Sequence, residues 1–280
     1  MVLKRIKQKT LIRDIFGKFG FDYPKFYKMI FFKLLDKESI SKETVRLGSD
    51  YGYWELLENK NLYNSTIISA GVGEDISFDI EYLNKFQGRV IFVDPTPRSS
   101  NHLAKVLKCI GNNKMIQYKN GGFQPIESYD LSNLKKNQFY IEEFALYKTS
   151  NKVLNFYPPK NSQHVSYSIS NIQNVSKETD SILSVKTTTL KDLMMKYKLE
   201  HLSLLKLDIE GAAEDHVIPN MLQDKIYPDQ ILVEFDNLHF KGFFSHIKMY
   251  LLIKKLLSKD YKIIKTNYLH NMLFVKNIFC

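Results

Sequence analysis

The stretch Ser69–Ser99, "SAGVGEDISFDIEYLNKFQGRVIFVDPTPRS", decides how this chain is read. A short apolar run, "TIISA" (Thr66–Ala70), stops at the glycine pair Gly71 and Gly73. A helix-like segment from Asp75 to Phe86 follows, then a second apolar run, "RVIFV", closed by Asp94. Strand, turn, helix, strand is the signature of a parallel α/β sheet. Glycines at the carboxyl end of a first strand let the backbone turn sharply and approach a ligand, and an acid ending the second strand can accept both hydroxyls of a ribose. Asp94 stands 23 residues after Gly71, close to the spacing of roughly 20 expected of a ribose-binding acid.

A dinucleotide fingerprint would place a third glycine at 76, where this chain has Ile76. Glu74 and Asp75 also stand at the expected helix start, where a pyrophosphate needs free N–H groups and little negative charge. Acids there suit a nucleoside cofactor with a positive centre and an amino group, such as S-adenosylmethionine. They also suit plain helix capping, and both roles are compatible.

Outward from this unit the alternation continues. A helix is expected over Arg98–Ile110, and residues 115–136 read as an insertion with its own short strand. "FYIEEFALY" (Phe139–Tyr147), "KVLNFY" (Lys152–Tyr157) and "SVKTTTL" (Ser184–Leu190) read as strands. A second strand–turn–helix unit runs from "LSLLKLD" (Leu202–Asp208) through Leu222, followed by the strand "QILVEF" and a helix through "SHIKMYLLIKKLLS". "YKIIKT" and "NMLFVK" are expected to close the chain as an antiparallel pair.

The 280 residues, 44% apolar and 25% charged, suffice for one large α/β domain with an extension. Cys109 and Cys280 lack the spacing of a metal or redox motif, which argues against a disulfide framework and points to a reducing compartment, the cytoplasm. The net charge of +10 is concentrated at the ends, with +7 in residues 1–42 and +6 in residues 246–280. Residues 1–45 are therefore read as a basic helical N-terminal extension, interrupted near Phe16–Pro24, and residues 46–280 as the main domain. Basic ends with interleaved aromatics fit solvated helix faces first, peripheral contact with an anionic substrate or the inner membrane face second, and nucleic acid last, since no nucleic-acid module is present.

Five segments occur in order: "GSDYGYW" (Gly48–Trp54), "GVGEDISFD" (Gly71–Asp79), "VDPTPRS" (Val93–Ser99), "TTLKDL" (Thr188–Leu193) and "LLKLDIEGAAEDHVI" (Leu204–Ile218). Together they resemble the FkbM-type family of S-adenosylmethionine-dependent methyltransferases over residues 46–276. The resemblance implies a Rossmann-like class I methyltransferase fold, a mostly parallel sheet whose last strand is antiparallel. It further implies S-adenosylmethionine as cofactor and a hydroxyl of a sugar or cell-surface glycan precursor as acceptor. An N-methyltransferase, a phosphate-modifying relative and a non-catalytic scaffold docking through the basic ends stand as alternatives.

Carried over by position, Gly71, Val72 and Gly73 line the methionine and ribose side and Asp94 holds the ribose. Pro95, Thr96 and Ala145 lie by the adenine, and Tyr51 and Gly52 close over the cofactor. The common methyltransferase pattern has an acid two residues before the first glycine, where this chain has Ser69, so Glu74, Asp75 and Asp208 are the candidates for the methionine ammonium. A sugar hydroxyl needs a general base or a bound metal before it attacks. Asp208, Glu210 and Glu234 are the candidate bases, with His239 behind them. The same acids could instead hold Mg²⁺, the less favoured reading. His164, in "HVSYSI", is a candidate substrate contact.

Overall fold

In a computed structural model of the chain, residues 31, 33–157, 182–236, 243–266 and 271–280 are described. The chain runs through β1 (Ser39–Ile40), β2 (Val45–Leu47), β3 (Trp54–Leu56), β4 (Thr66–Ala70), α1 (Ser77–Phe86), β5 (Arg89–Val93) and α2 (Pro97–Lys108). There follow β6 (Phe139–Glu142), β7 (Ala145–Leu146), β8 (Val153–Phe156), β9 (Leu183–Thr188), α3 (Leu190–Lys196) and β10 (Leu204–Leu207). A π-helical turn, Ala213–Val217, then leads into α4 (Ile218–Gln223), β11 (Gln230–Glu234), α5 (Phe243–Leu257), β12 (Tyr261–Ile264) and β13 (Asn271–Lys276).

The strands β4, β5, β10 and β11 are nearly continuous apolar runs, as strands covered on both faces must be. They sit in an eight-stranded sheet of order β6-β5-β4-β10-β11-β13-β12-β1. Every pairing is parallel except those of β13, which runs antiparallel to both β11 and β12. The sequence reading expected this mostly parallel Rossmann-like sheet with an antiparallel last strand. β4 and β10 are neighbours from which the chain winds outward in opposite directions, so a crevice opens at their carboxyl ends.

Period-2 alternation sends the two sides of each strand to two different cores. Ile68, Ala70, Ile91, Leu205, Leu207, Ile231 and Val233 pack under α4 and α5. Ile67, Val90, Phe92, Leu204 and Leu232 pack under α1, α2 and the β2–β3 hairpin. Phe31 and Leu35 bury in the first of these cores, and β1 pairs with β12 at the sheet edge. Residues 1–30, including the break expected at Phe16–Pro24, lie outside the described residues, as do His164 and His239.

Several local expectations need correction. "FYIEEFALY" is two strands, not one: β6 extends the large sheet, whereas β7 joins a separate three-stranded sheet of order β7-β9-β8. Residues 115–136 contain no strand; a single bridge between Phe123 and Glu74 docks that segment on the glycine turn. The helix after the glycine turn, α1, begins at Ser77, so Glu74 and Asp75 precede it. The helix expected from Ala213 starts as a π turn in which Ile218 N–H donates to the Ala213 carbonyl. Pro219 follows directly; it has no N–H to give, and its ring crowds the carbonyl four residues back, which widens the preceding turn.

Candidate active site

The carboxyl ends of β4, β5, β10 and β11 meet around one cavity of about 450 Å³. Tyr51, Gly52, Gly71, Val72, Gly73, Glu74, Asp75, Asp94, Pro95, Thr96, Ala145, Asp208, Glu210 and Glu234 all line it. The sequence reading had selected these residues from segments as far apart as 51 and 234.

The glycine turn is shaped by contact as much as by conformation. Gly71 has φ +77°, and a Cβ there would lie 1.6 Å from the Asp208 carbonyl oxygen, so only glycine lets β4 and β10 approach this closely. Asp94 then fastens the turn. Its Oδ2 accepts from Val72 N–H (2.9 Å) and Gly73 N–H (3.0 Å), and its Oδ1 accepts from Thr96 N–H (2.8 Å) and Thr96 Oγ1 (2.6 Å). A carboxylate offers about four lone-pair sites, and all are used here. Asp94 therefore organises both loops, and a ribose at this acid would share or exchange some of those bonds.

Asp75 ties the hairpin turn to the glycine turn. Its Oδ2 accepts from Ser49 Oγ (2.6 Å) and Gln124 Nε2 (3.2 Å), and its Oδ1 from Ser77 N–H (3.0 Å). Ser49 Oγ in turn accepts from Gly52 N–H at 2.9 Å. A Cβ at Gly52 would fall 2.6 Å from Asp75 Oδ2, and one at Gly122 would fall 3.0 Å from the Tyr51 ring. Tyr51 thus lies on the 119–124 loop at the cavity rim, with 62% of its surface exposed. Glu74 departs from the sequence argument that counted its charge toward a cationic ligand. Arg98, on the first turn of α2, holds its Oε2 through both Nε (2.8 Å) and Nη2 (2.5 Å), a charge-assisted pair that neutralises it.

The far wall is a set of carboxylates. Glu234 ends β11, and burial raises its pKa well above the usual carboxylate range, helped by the charges of Asp208 and Asp236 and a hydrogen bond with Asp208. Asp236 is likewise raised, by burial first and then by Glu210, Glu214 and Asp208, although it accepts Gly211 N–H at 2.7 Å. Like charges this close cannot all ionise, so the group retains protons at neutral pH. Glu210 has φ +46°, a left-handed conformation that costs a non-glycine residue about 1 kcal/mol and is concentrated at functional sites. Among the described residues, no group of three or more His, Cys, Asp or Glu is arranged to hold a metal ion.

A methyltransferase FkbM domain model matches residues 55–263, three quarters of the chain. The chain belongs to the FkbM methyltransferase family. The match takes in Gly71, Asp94, Asp208, Glu210 and Glu234, while the Tyr51–Gly52 turn and Asn271 lie outside it. No curated protein sequence matches the chain. Among solved structures it is similar to a crystal structure of methyltransferase FkbM from Methylobacillus flagellatus KT, at 11% identity and a TM-score of 0.43 over 78% of this chain. The chain spans 45% of that protein's length.

In this FkbM-family chain the sequence reading missed three groups below and around the cavity. Lys206, on β10, lines the cavity although only 4% of it is exposed. Asn271, at the start of β13 opposite Glu234, lines it with a buried Oδ1 that has no hydrogen-bond partner. Asp79, on α1, is 1% exposed with no hydrogen bond to either carboxylate oxygen, and Ser69 and Lys206 are its polar neighbours. These two pair in register on adjacent strands, so both face α1. The position where an acid was expected, Ser69, therefore has an acid pressed against it from the helix above. The visible signal was a lone lysine in the run "LLKL", and an aspartate among the apolar positions of α1.

Proposed function

We propose that the chain is an S-adenosylmethionine-dependent O-methyltransferase acting on a hydroxyl of a sugar or glycan precursor. The observation that carries the cofactor is the charge of the cavity. Asp50, Glu74, Asp75, Asp94, Asp208, Glu210 and Glu234 line it against a single lysine among the described residues. Two of the seven are neutralised at the rim, Glu74 by Arg98 and Asp50 by Arg46. Glu234 is protonated at neutral pH, and the remaining carboxylates form a negative field suited to a ligand carrying sulfonium and ammonium charges and unsuited to a diphosphate. The unpartnered Asn271 Oδ1 adds a buried acceptor waiting for a donor.

S-adenosylmethionine supplies, when bound, an electrophilic methyl group. On this reading Asp94, Val72 and Gly73 hold the ribose side, Ala145 and Pro95 lie by the adenine, and Asp208 stands where the strands converge. Methyl transfer to oxygen leaves the chain two tasks, positioning the acceptor and removing the hydroxyl proton. Asp208 and Glu234 hydrogen-bond as a pair, with Glu234 raised, so Glu234 keeps its proton at neutral pH and the role of base falls to its neighbour Asp208. This pair, with Glu210 beside it, favours an acidic hydroxyl-activating site over one built to orient an amine.

Isothermal titration of the purified chain with S-adenosylmethionine tests the cofactor, and transfer of labelled methyl groups to glycan extracts of the native organism tests the acceptor. Absence of binding at millimolar cofactor would leave only the scaffold alternative. Label appearing on nitrogen rather than oxygen would overturn the hydroxyl assignment.

A further inference from the structure

We propose that Lys206 forms an anion subsite for the α-carboxylate of the amino-acid cofactor, an inference that rests on the S-adenosylmethionine reading above. The position is unusual for a lysine. Its neighbours on β10, Leu204, Leu205 and Leu207, are fully buried, and its partners across the sheet are Ser69 and Leu232. The side chain therefore runs between the sheet and α1, and its end reaches the cavity wall.

Taking an ammonium out of water costs several kcal/mol unless charges and acceptors replace the solvent. What replaces it here is partial. An ammonium has three donors, and the hydrogen bond described for Lys206 Nζ goes to the Gly71 carbonyl at a long 3.3 Å. Nζ also stands 5.5 Å from the centre of the Trp54 ring, a cation–π distance that leaves donors unspent. The bond to Gly71 places this cation at the glycine turn itself, beside the bonds by which Asp94 fastens Val72 and Gly73.

The charge map then assigns the ligand group. A zwitterionic amino-acid cofactor brings two positive centres and one carboxylate. Every other Asp, Glu, Lys or Arg described on the cavity wall is a carboxylate, and a ligand carboxylate beside the ionised ones would meet repulsion. Lys206 is the one lining cation among the described residues, and it is desolvated, which strengthens each bond it makes. A structural role alone, as counter-ion to Asp79, accounts for the burial but not for an ammonium on the cavity wall at the turn.

The experiment compares S-adenosylmethionine with its decarboxylated form by calorimetry, using the full chain. The decarboxylated ligand is more cationic by one charge, so an acidic cavity without an anion subsite should bind it the more tightly. Wild type is expected to prefer S-adenosylmethionine by about tenfold or more, the size of one charge-assisted hydrogen bond. Lys206→Met should lower affinity for S-adenosylmethionine by a similar factor and change that for the decarboxylated form less than threefold. Equal losses for both ligands in Lys206→Met, or a wild type that prefers the decarboxylated form, would overturn the subsite while leaving the cofactor reading intact. Should Lys206→Met not fold, the wild-type preference decides alone. A wild type that binds neither ligand removes the cofactor reading and the subsite with it.

Discussion

Asp79 offers the sharpest test of how this site was built, through Asp79→Asn. Its carboxylate is fully buried on α1, and desolvation, only partly offset by Lys206, pushes its pKa up from 3.8 to about 6. An acid with a raised folded-state pKa binds its proton more tightly when folded. Its contribution to stability is therefore present below pH 3.8 and is lost as pH rises through about 6. At about 1.36 kcal/mol per unit, the shift amounts to roughly 3 kcal/mol, of which about 2 kcal/mol falls between pH 4 and 6. Asparagine keeps the shape and cannot titrate. Urea unfolding of both proteins from pH 4 to 7 should show the variant gaining on wild type by that amount as pH rises, with all other titrations cancelling in the difference. A difference that stays flat with pH would refute the argument, because it would mean that Lys206 and Ser69 satisfy the aspartate fully.

Asp94→Ala removes four hydrogen bonds, two of them to the N–H groups of the glycine turn, and should cost roughly 2–4 kcal/mol in chemical denaturation. The same variant should bind S-adenosylmethionine at least tenfold more weakly by calorimetry, while full retention of affinity would remove Asp94 from the cofactor site. Glu210→Ala should leave cofactor affinity within about twofold and lower kcat by about a hundredfold, the range of a lost acid–base group. An unchanged kcat would take Glu210 out of the chemistry.

The sequence by itself determined the central strands and the sheet edge at which the cavity opens. Short apolar runs such as "TIISA" and "RVIFV", β-branched and ended by glycines or an acid, read as strands covered on both faces, and those end residues mark the carboxyl edge. Those are local signals, carried by neighbouring residues. The strand break after Glu142 escaped notice because Glu143–Phe144 looks locally no less extended than its neighbours, and only pairing separates β6 from β7. The pairing of Glu74 with Arg98 was equally illegible, since it joins the strand-to-helix turn of one βα unit to the helix of the next.

Burial was the larger gap. A sequence gives Asp79 and Lys206 as two charges 127 residues apart, and nothing local states that α1 presses one onto the strand that holds the other. Tertiary packing alone decides which charges lose their water, and desolvation is what turns a carboxylate into a retained proton or a lysine into a strong anion subsite. The order of residues thus placed glycines and acids at one edge of the sheet, and the packing of helix on sheet decided which charges line the cavity there.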